Sequence, residues 1–263
     1  MSKNKKSLLL NGCLGRMGNA ISNYVRMHSQ TYISIASEWK GHKKIGDTLY
    51  SSSSRNNPVV GVLPKSFSVD YIIDFSEPSS AIALAKLAAK FKTPFVTGTT
   101  GFSPNQILEL KKISKKTPVL QSYNMSLGIN LILKIIKENS EYFNHTDLEI
   151  IEKHHNQKID SPSGTALLLA NTIGETRGKK SDSFVNYRKK SNNLKRKKNE
   201  VGISVIRGGN TVGEHSLVSY SDYENITLTH EALDRSVFAK GAVELGLKLI
   251  KKRPGFYSVL DLL

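Results

Sequence analysis

Residues 7–21 read SLLLNGCLGRMGNAI, an apolar run that stops at a glycine turn and resumes as a helical pattern. Gly12, Gly15 and Gly18 stand between the predicted strand and the predicted helix of a first βαβ unit. A pyrophosphate bound there needs backbone N–H groups at a helix N-terminus, and glycines that let the backbone approach without a Cβ in the way. The spacing is GxxGxxG rather than GxGxxG, because Leu14 occupies the place of the second glycine. Spacing alone therefore leaves a purely structural turn open. The next strand adds a second observation: Glu38 lies at its end, twenty positions after Gly18. An acidic side chain at that point can accept hydrogen bonds from both ribose hydroxyls of a dinucleotide. Trp39 and Lys40 follow, the indole suited to stacking on adenine and the ammonium to meeting a 2′-phosphate. The expectation is a nicotinamide cofactor, with NADH used well and NADPH at least tolerated.

Outward from this turn, the runs YISIASE, DYIIDF, PFVTGTTG and PVLQSYN alternate with the helical patterns RMGNAISNYVRMH, SSAIALAKLAAKF and PNQILELKKISKK. Strand-like runs separated by helices with apolar residues three and four apart predict a doubly wound parallel sheet over about residues 1–126. Ligands of such sheets bind beyond the carboxyl ends of the strands. That rule singles out Asp74, Phe75 and Ser76 in IDFSEP, and Gly98, Thr99, Thr100 and Gly101 in VTGTTGF. The paired threonines offer hydroxyls to a nicotinamide ribose or substrate and the glycines offer close backbone approach, although each group is also ordinary turn chemistry. Further on, LGINLILKIIKENSEYF reads as an amphipathic helix and TDLEIIEKHH alternates as a strand. VGISVIRGG, EHSLVSYS and ENITLTHEA suggest an antiparallel or mixed sheet with one face covered. The final long helix, SVFAKGAVELGLKLIKK, is expected to return to the first domain. Two α/β domains result, 1–126 with 236–263, and 127–235.

The chain has 263 residues, 38% of them hydrophobic, enough to bury a core. No apolar run approaches the roughly 18 residues that would span a bilayer, and the start MSKNKKSLLLNGCLG is too short in apolar residues for a signal peptide. Cys13 is the single cysteine, which excludes an intrachain disulfide and fits a reducing cytoplasm. The net charge of +16 raises a nucleic-acid reading. The lysines are scattered, however, and the one dense run, YRKKSNNLKRKKNE at 187–200, lacks aromatic interleaving. It reads as a solvated basic loop rather than a phosphate-binding face.

The segment EIIEKHHNQKIDSPSGTALLLA, residues 149–170, concentrates the remaining chemistry. Adjacent side chains on a strand face opposite ways, so His154 and His155 can share one site only where the strand ends. Turn formers follow, and Lys158 lies on the connection. Ser163 is placed to cap a helix that opens with Gly164 and Thr165, and free N–H groups there favour an anion. A substrate carboxylate held by that helix start, Lys158 and one imidazole leaves the other imidazole for proton transfer. His154 and Lys158 suit the protonation that must accompany hydride transfer to an unsaturated acid. A zinc site would need a properly spaced third ligand as in HExxH, which is absent, and a serine hydrolase would need a GxSxG elbow, which SPSGT is not. No metal is expected. Surface histidines at a strand end are the plain alternative.

Taken in order, GCLGRMG, TGTTGF, EIIEKHHNQKIDSPSGTA, IRGGNTVGEH and DRSVFAKGA resemble the 4-hydroxy-tetrahydrodipicolinate reductase family, also called dihydrodipicolinate reductase. The resemblance covers nearly the whole chain, and the family commonly uses the GxxGRMG form of the glycine turn. It implies a Rossmann-like cofactor domain, a second domain with a mixed sheet that forms a homotetramer, and NADH- or NADPH-dependent reduction of 4-hydroxy-tetrahydrodipicolinate to tetrahydrodipicolinate with loss of water, in the diaminopimelate route to lysine. Residue by residue, it implies His154 as proton donor or acceptor and Lys158 as second proton donor. His155, Gly164 and Thr165 match substrate contacts, with Ser163 beside them. Gly12, Cys13, Leu14, Gly15, Arg16 and Met17, then Glu38, then Gly98, Thr99 and Thr100, then Ser122, Tyr123, Asn124 and Met125, match cofactor positions. Arg235 matches the arginine before the terminal helix. Trp39 stands where many members have an arginine, which bears on the grip on a 2′-phosphate, and Ser122 and Tyr123 replace smaller residues. Rival readings are another dehydrogenase on the same two-domain plan, acting on aspartate or homoserine, and a basic nucleic-acid-binding protein built on a nucleotide fold.

Overall fold

The computed structural model describes residues 5–28, 30–49, 57–180, 183–187 and 195–263. They fall into two compact units, Met1–Leu127 with Arg235–Leu263, and Gly128–Asp234. The first unit opens with β1 (Lys6–Asn11), α1 (Arg16–Met27), β2 (Thr31–Ser37), β3 (Thr48–Leu49) and β4 (Asn57–Val60). It continues through β5 (Tyr71–Asp74), α2 (Pro78–Phe91), β6 (Phe95–Thr97), α3 (Pro104–Ile113) and β7 (Pro118–Gln121). The second comprises α4 (Leu127–Glu138), α5 (Ser140–Asn144), β8 (Asp147–His154), α6 (Gly164–Thr176), β9 (Val185–Tyr187), β10 (Val201–Arg207), β11 (Gly213–Tyr220) and β12 (Asn225–Ala232). The chain closes in the first unit with α7 (Ser236–Leu249), β13 (Gly255–Tyr257) and a 3-10 turn, Leu260–Leu262.

The first sheet has the order β13-β7-β6-β5-β1-β2-β4-β3, parallel except where β3 meets β4. Its central strand shows why both faces are covered. Leu8 and Leu10 pack with Ile21 and Val25 of α1 and Ala242 and Leu245 of α7. Leu9, pointing the other way, joins Ala81 and Ala85 of α2 and Leu110 of α3. A strand buried on both sides reads as a continuous apolar run, which is what LLL is. Connections leave β1 in one direction to β2 and place β5 on its other side, so the sheet order reverses there. All the parallel strands end at one edge, and the turns singled out in the sequence cluster along it.

The second sheet runs β12-β11-β8-β10-β9. β8 is antiparallel to β11 and parallel to β10, so the sheet is mixed. β8 alternates strictly, with Leu148, Ile150, Glu152 and His154 buried on one face, and α6 packs against it. The apolar row thus ends in two ionisable side chains. Among the described residues no helix is long and apolar enough to cross a membrane.

The basic run is only partly solvated. Residues 188–194 lie outside the described residues, but Arg196 donates to the Asp147 carboxylate at 3.0 Å, to Glu149 and to the Leu148 carbonyl at 3.1 Å. It pins the end of the loop to the start of β8, because the carboxylates there need a cation.

Candidate active site

At the carboxyl edge of the first sheet lies a cavity of about 840 Å³, lined by Gly12, Leu14, Gly15, Glu38, Trp39 and Ser76 among others. Gly12 has φ +74°, and a Cβ on it would stand 2.2 Å from the Phe75 carbonyl oxygen, so only glycine fits this crossing. A Cβ on Gly18 would stand 2.2 Å from the Gly12 carbonyl, so this glycine lets α1 sit tight against the turn. The Gly12 and Cys13 N–H groups both donate to the Ser37 carbonyl, at 2.9 and 3.1 Å. The Leu14 N–H donates to Glu38 Oε2 at 3.0 Å. Helix α1 begins after Gly15 with no side-chain cap. The N–H groups of Arg16 and Met17, in its first turn, face no carbonyl of their own helix. Glu38 is thereby fixed at the cavity wall by the turn itself. Trp39 is 64% exposed and meets His42 edge-on; Lys40 is exposed.

The turn residues divide by what their side chains do. Cys13 is fully buried, and burial, with Glu38 adding to it, pushes its thiol up to about 12. Any contact Cys13 makes is through its backbone. Asp74 does not face the cavity as an open ligand. It is fully buried and accepts from Asn11 Nδ2 at 2.7 Å, Ser76 Oγ at 2.6 Å, Thr97 Oγ1 at 2.8 Å and Thr99 Oγ1 at 2.7 Å. The Thr99 hydroxyl also accepts the Ser76 N–H at 2.9 Å, so both of these bonds are internal to the turns. Gly98 makes its close approach to the Phe75 ring, 2.1 Å from where a Cβ would stand. Thr100 is exposed. Past β7, the Ser122 hydroxyl donates to the Asn124 carbonyl at 2.8 Å and Tyr123 is exposed. Met125 is buried in the core, which leaves its side chain out of any ligand contact. Gly98, Thr99, Thr100 and the 122–125 turn lie outside the cavity lining.

In the second unit, β8 delivers His154 to its end, buried and 7% exposed. The backbone then turns: the His155 N–H donates to the Thr211 carbonyl at 2.7 Å, and the His155 side chain is half-buried. Lys158 follows, its ammonium bound to both Asp160 oxygens at 2.7 and 2.8 Å. Ser163 caps α6, its hydroxyl accepting the Ala166 N–H at 3.2 Å. Next to it Gly164 faces open space, with no atom of the described residues within 4 Å of where a Cβ would stand. Thr165 completes the first turn of α6. Arg235 belongs to the first unit, at the start of α7.

Four residues that the sequence did not single out complete this site. Glu152, fully buried, places Oε2 2.5 Å from His154 Nδ1. Its Oε1 accepts from the Ser163 N–H at 2.8 Å and from Arg207 at 3.1 Å. Burial works against the Glu152 charge, but the Arg207 and Ser163 bonds and the nearby His154 more than offset it, holding the carboxyl below its usual range. His215, in register with Glu152 across the sheet, contacts the Ser163 hydroxyl at 2.9 Å. Asp160 is held below the usual carboxylate range because Lys158 outweighs its burial. Burial holds the His154 imidazole below its ordinary pKa; Glu152 opposes that, while the cations Lys158 and Arg207 add to it. The signal for Glu152 was present: on a strand, a residue two before a histidine shares its face. Arg207 and His215 arrive from other strands, by pairing that no local pattern encodes.

Glu152, His154 and His215 offer donor atoms within 4.8 Å of one another. The carboxylate already serves Arg207, and Lys158 lies close enough to depress the His154 pKa, so the local field opposes a further cation. The glycine turn, the uncapped helix start and the fixed Glu38 fit a dinucleotide in the first unit. The uncrowded Gly164 at the start of α6, the Lys158 ammonium and the buried His154 imidazole fit an anion needing a proton in the second.

The chain is similar to known proteins over nearly its whole length. The chain is 39% identical over 261 residues to a 4-hydroxy-tetrahydrodipicolinate reductase of Wolbachia sp. subsp. Brugia malayi, covering 96% of this chain and 97% of that protein. It is 37% identical over 270 residues to the protein of the same name in Buchnera aphidicola subsp. Cinara cedri, covering 99% and 98%. Its fold matches a dipicolinate-bound dihydrodipicolinate reductase from Paenisporosarcina sp. TG-14 with a TM-score of 0.78 at 23% identity, over 99% of this chain and 100% of that one. The family models for the N-terminus and C-terminus of dihydrodipicolinate reductase match residues 6–125 and 128–263, and on these matches the chain belongs to the dihydrodipicolinate reductase family.

Proposed function

We propose that this chain reduces 4-hydroxy-tetrahydrodipicolinate to tetrahydrodipicolinate, with loss of water, using NADH or NADPH, in the diaminopimelate route to lysine. The observation that carries the proposal is the buried His154, with the Glu152 carboxylate 2.5 Å from its Nδ1 and held below its usual range, on the strand that leads into Lys158 and the start of α6. That arrangement supplies a proton and binds an anion, the two needs of reducing an unsaturated diacid.

In the first unit, the first-turn N–H groups of Arg16 and Met17 hold the pyrophosphate, Glu38 the ribose and Trp39 the adenine. Gly12, Leu14 and Gly15 shape the turn, Lys40 would meet a 2′-phosphate, and the backbone of Gly98, Thr99, Thr100, Ser122, Tyr123 and Asn124 would hold the nicotinamide end. When bound, the nicotinamide supplies the hydride. In the second unit, the N–H groups of Gly164 and Thr165, with His155 and Lys158, orient the carboxylates. His154 transfers a proton and Lys158 is the second donor. The Asp160 carboxylate holds the Lys158 ammonium until the substrate's own carboxylate takes its place. No metal takes part. Family membership supports assembly as a homotetramer, and the single, buried cysteine suits a reducing cytoplasm.

The test is oxidation of NADH in the presence of the product of the preceding synthase reaction, with NADPH run alongside. His154→Gln is expected to lower kcat about 100-fold or more, within the usual range for general acid–base groups, with KM changed less; Lys158→Ala is expected to damage both. Near wild-type kcat/KM in His154→Gln would sink the proton-transfer role. Strong preference for NADPH over NADH would overturn the role given to Glu38.

A further inference from the structure

We infer that Glu152 is a positioning residue of this site: it holds the proton of His154 on Nδ1, commits Nε2 to the substrate, and ties the imidazole to the start of α6. The inference rests on the reading that His154 transfers the proton. Its geometric basis is independent of that reading. One carboxylate oxygen, Oε1, is already occupied by the Ser163 N–H at 2.8 Å and the Arg207 guanidinium at 3.1 Å. These two donors fix the plane and direction of the carboxylate. The other oxygen, Oε2, and His154 Nδ1 lie 2.5 Å apart as an ion pair; both are buried and neither makes a regular hydrogen bond among the described residues, so each has only the other to satisfy it.

An ionised carboxylate only accepts. The contact therefore requires the proton on Nδ1, which leaves Nε2 as the nitrogen that gains and loses a proton. A Cβ on Gly213 would stand 3.0 Å from Nε2, so any side chain at that position would crowd this nitrogen. The same Glu152 binds the N-cap residue of α6, so the imidazole and the anion-binding helix start move as one body. A carboxylate bonded to one imidazole nitrogen sets the tautomer and ring orientation of a histidine that works through the other.

The other charges around the ring are Lys158 and Asp160 on the following connection, Arg207 on β10 and His215 on β11, with His230 on β12 facing His215. Lys158, Arg207 and burial all disfavour an imidazolium, and Glu152 works against them. Removing the Glu152 charge while keeping its shape leaves those opposing groups in place. The pKa of His154 must then fall.

The experiment uses the full chain with 15N-labelled histidine, comparing wild type, Glu152→Gln and Glu152→Asp, with His154→Gln to assign the resonance. In wild type the neutral ring is expected to carry its proton on Nδ1. In Glu152→Gln the tautomer preference is lost and the His154 pKa drops by about one unit or more. The alkaline limb of kcat moves down by the same amount, costing roughly tenfold at pH ~8. Glu152→Asp keeps the charge and restores most of the limb position, which a purely structural role for the side chain would not do. A neutral wild-type ring protonated on Nε2 overturns the inference, and that measurement needs no variant to fold. An unshifted limb in folded Glu152→Gln overturns it as well. A wild type with the Nδ1 proton but no activity on the diacid sinks the proposed reaction and leaves the positioning intact.

Discussion

His215 lies between Glu152 on the adjacent strand and Ser163 at the start of α6, and burial, reinforced by His154, lowers its pKa to about 4. In the unfolded chain the same ring titrates near ~6.5. Above that pH neither state binds the proton and the contribution to stability is complete. As pH falls from about 6.5 toward 4, the unfolded chain takes up a proton that the folded one refuses, and stability is lost, by up to about 3 kcal/mol for this group. His154 and His230, also held low by burial, act in the same direction. Asp74, raised by burial, acts oppositely, its contribution shrinking as pH rises. Urea midpoints measured from pH ~7.5 down to ~4.5 should fall, and His215→Gln should flatten the slope. An equal slope in the variant would assign the acid sensitivity to other groups.

Two helices make contrasting use of glycine. In α7, a Cβ on Gly241 would stand 1.8 Å from the Met125 carbonyl, and one on Gly246 2.5 Å from the Tyr71 ring, so the helix lies against the first sheet at a distance only glycine allows. Gly241→Ala must lift it, with an expected loss of about 1–3 kcal/mol read from the urea midpoint. At the start of α6, a Cβ on Gly164 would meet none of the described residues. Gly164→Ala is expected to leave stability within about 0.5 kcal/mol of wild type while raising KM for the diacid, because the added methyl enters the space a carboxylate needs. A stable variant with unchanged KM would remove Gly164 from the site. The contrast marks what the sequence made legible. The strand, the glycine turn, Glu38 and the Ser163 cap rest on local periodicity and spacing, which a single chain displays. The internal bond of the Thr99 hydroxyl was not legible because its acceptor, Asp74, lies 25 residues away. Arg207 and His215 were missed because they reach Glu152 across 55 and 63 residues of chain by strand register. Glu152 itself was readable from the alternation of β8, which puts it on the same buried face as His154 two positions on.

At the scale of the whole molecule, the first unit is assembled from both ends of the chain, with α7 and β13 completing a sheet begun at β1. The proposed dinucleotide turns lie on that unit and the proposed diacid groups on the other, so each ligand has its own signature. A ligand that binds only the folded state at ~100 times its Kd adds about 2.7 kcal/mol to stability, enough to slow amide exchange about 100-fold where exchange requires opening of the bound region. NADH is therefore expected to protect the turns at residues 12–17, 38–40 and 74–76. Dipicolinate, the diacid held by the Paenisporosarcina enzyme, is expected to protect 154–158 and 163–165. Hydrogen exchange followed by mass spectrometry of the full chain distinguishes the two patterns. Because the net charge is +16, a diacid could also bind the lysine-rich surface without specificity, and such binding would weaken with salt and protect no single segment. Protection confined to 154–165 and surviving ~0.3 M salt would separate a built site from that background. Protection by dipicolinate of the 12–17 turn instead would remove the second unit from the site.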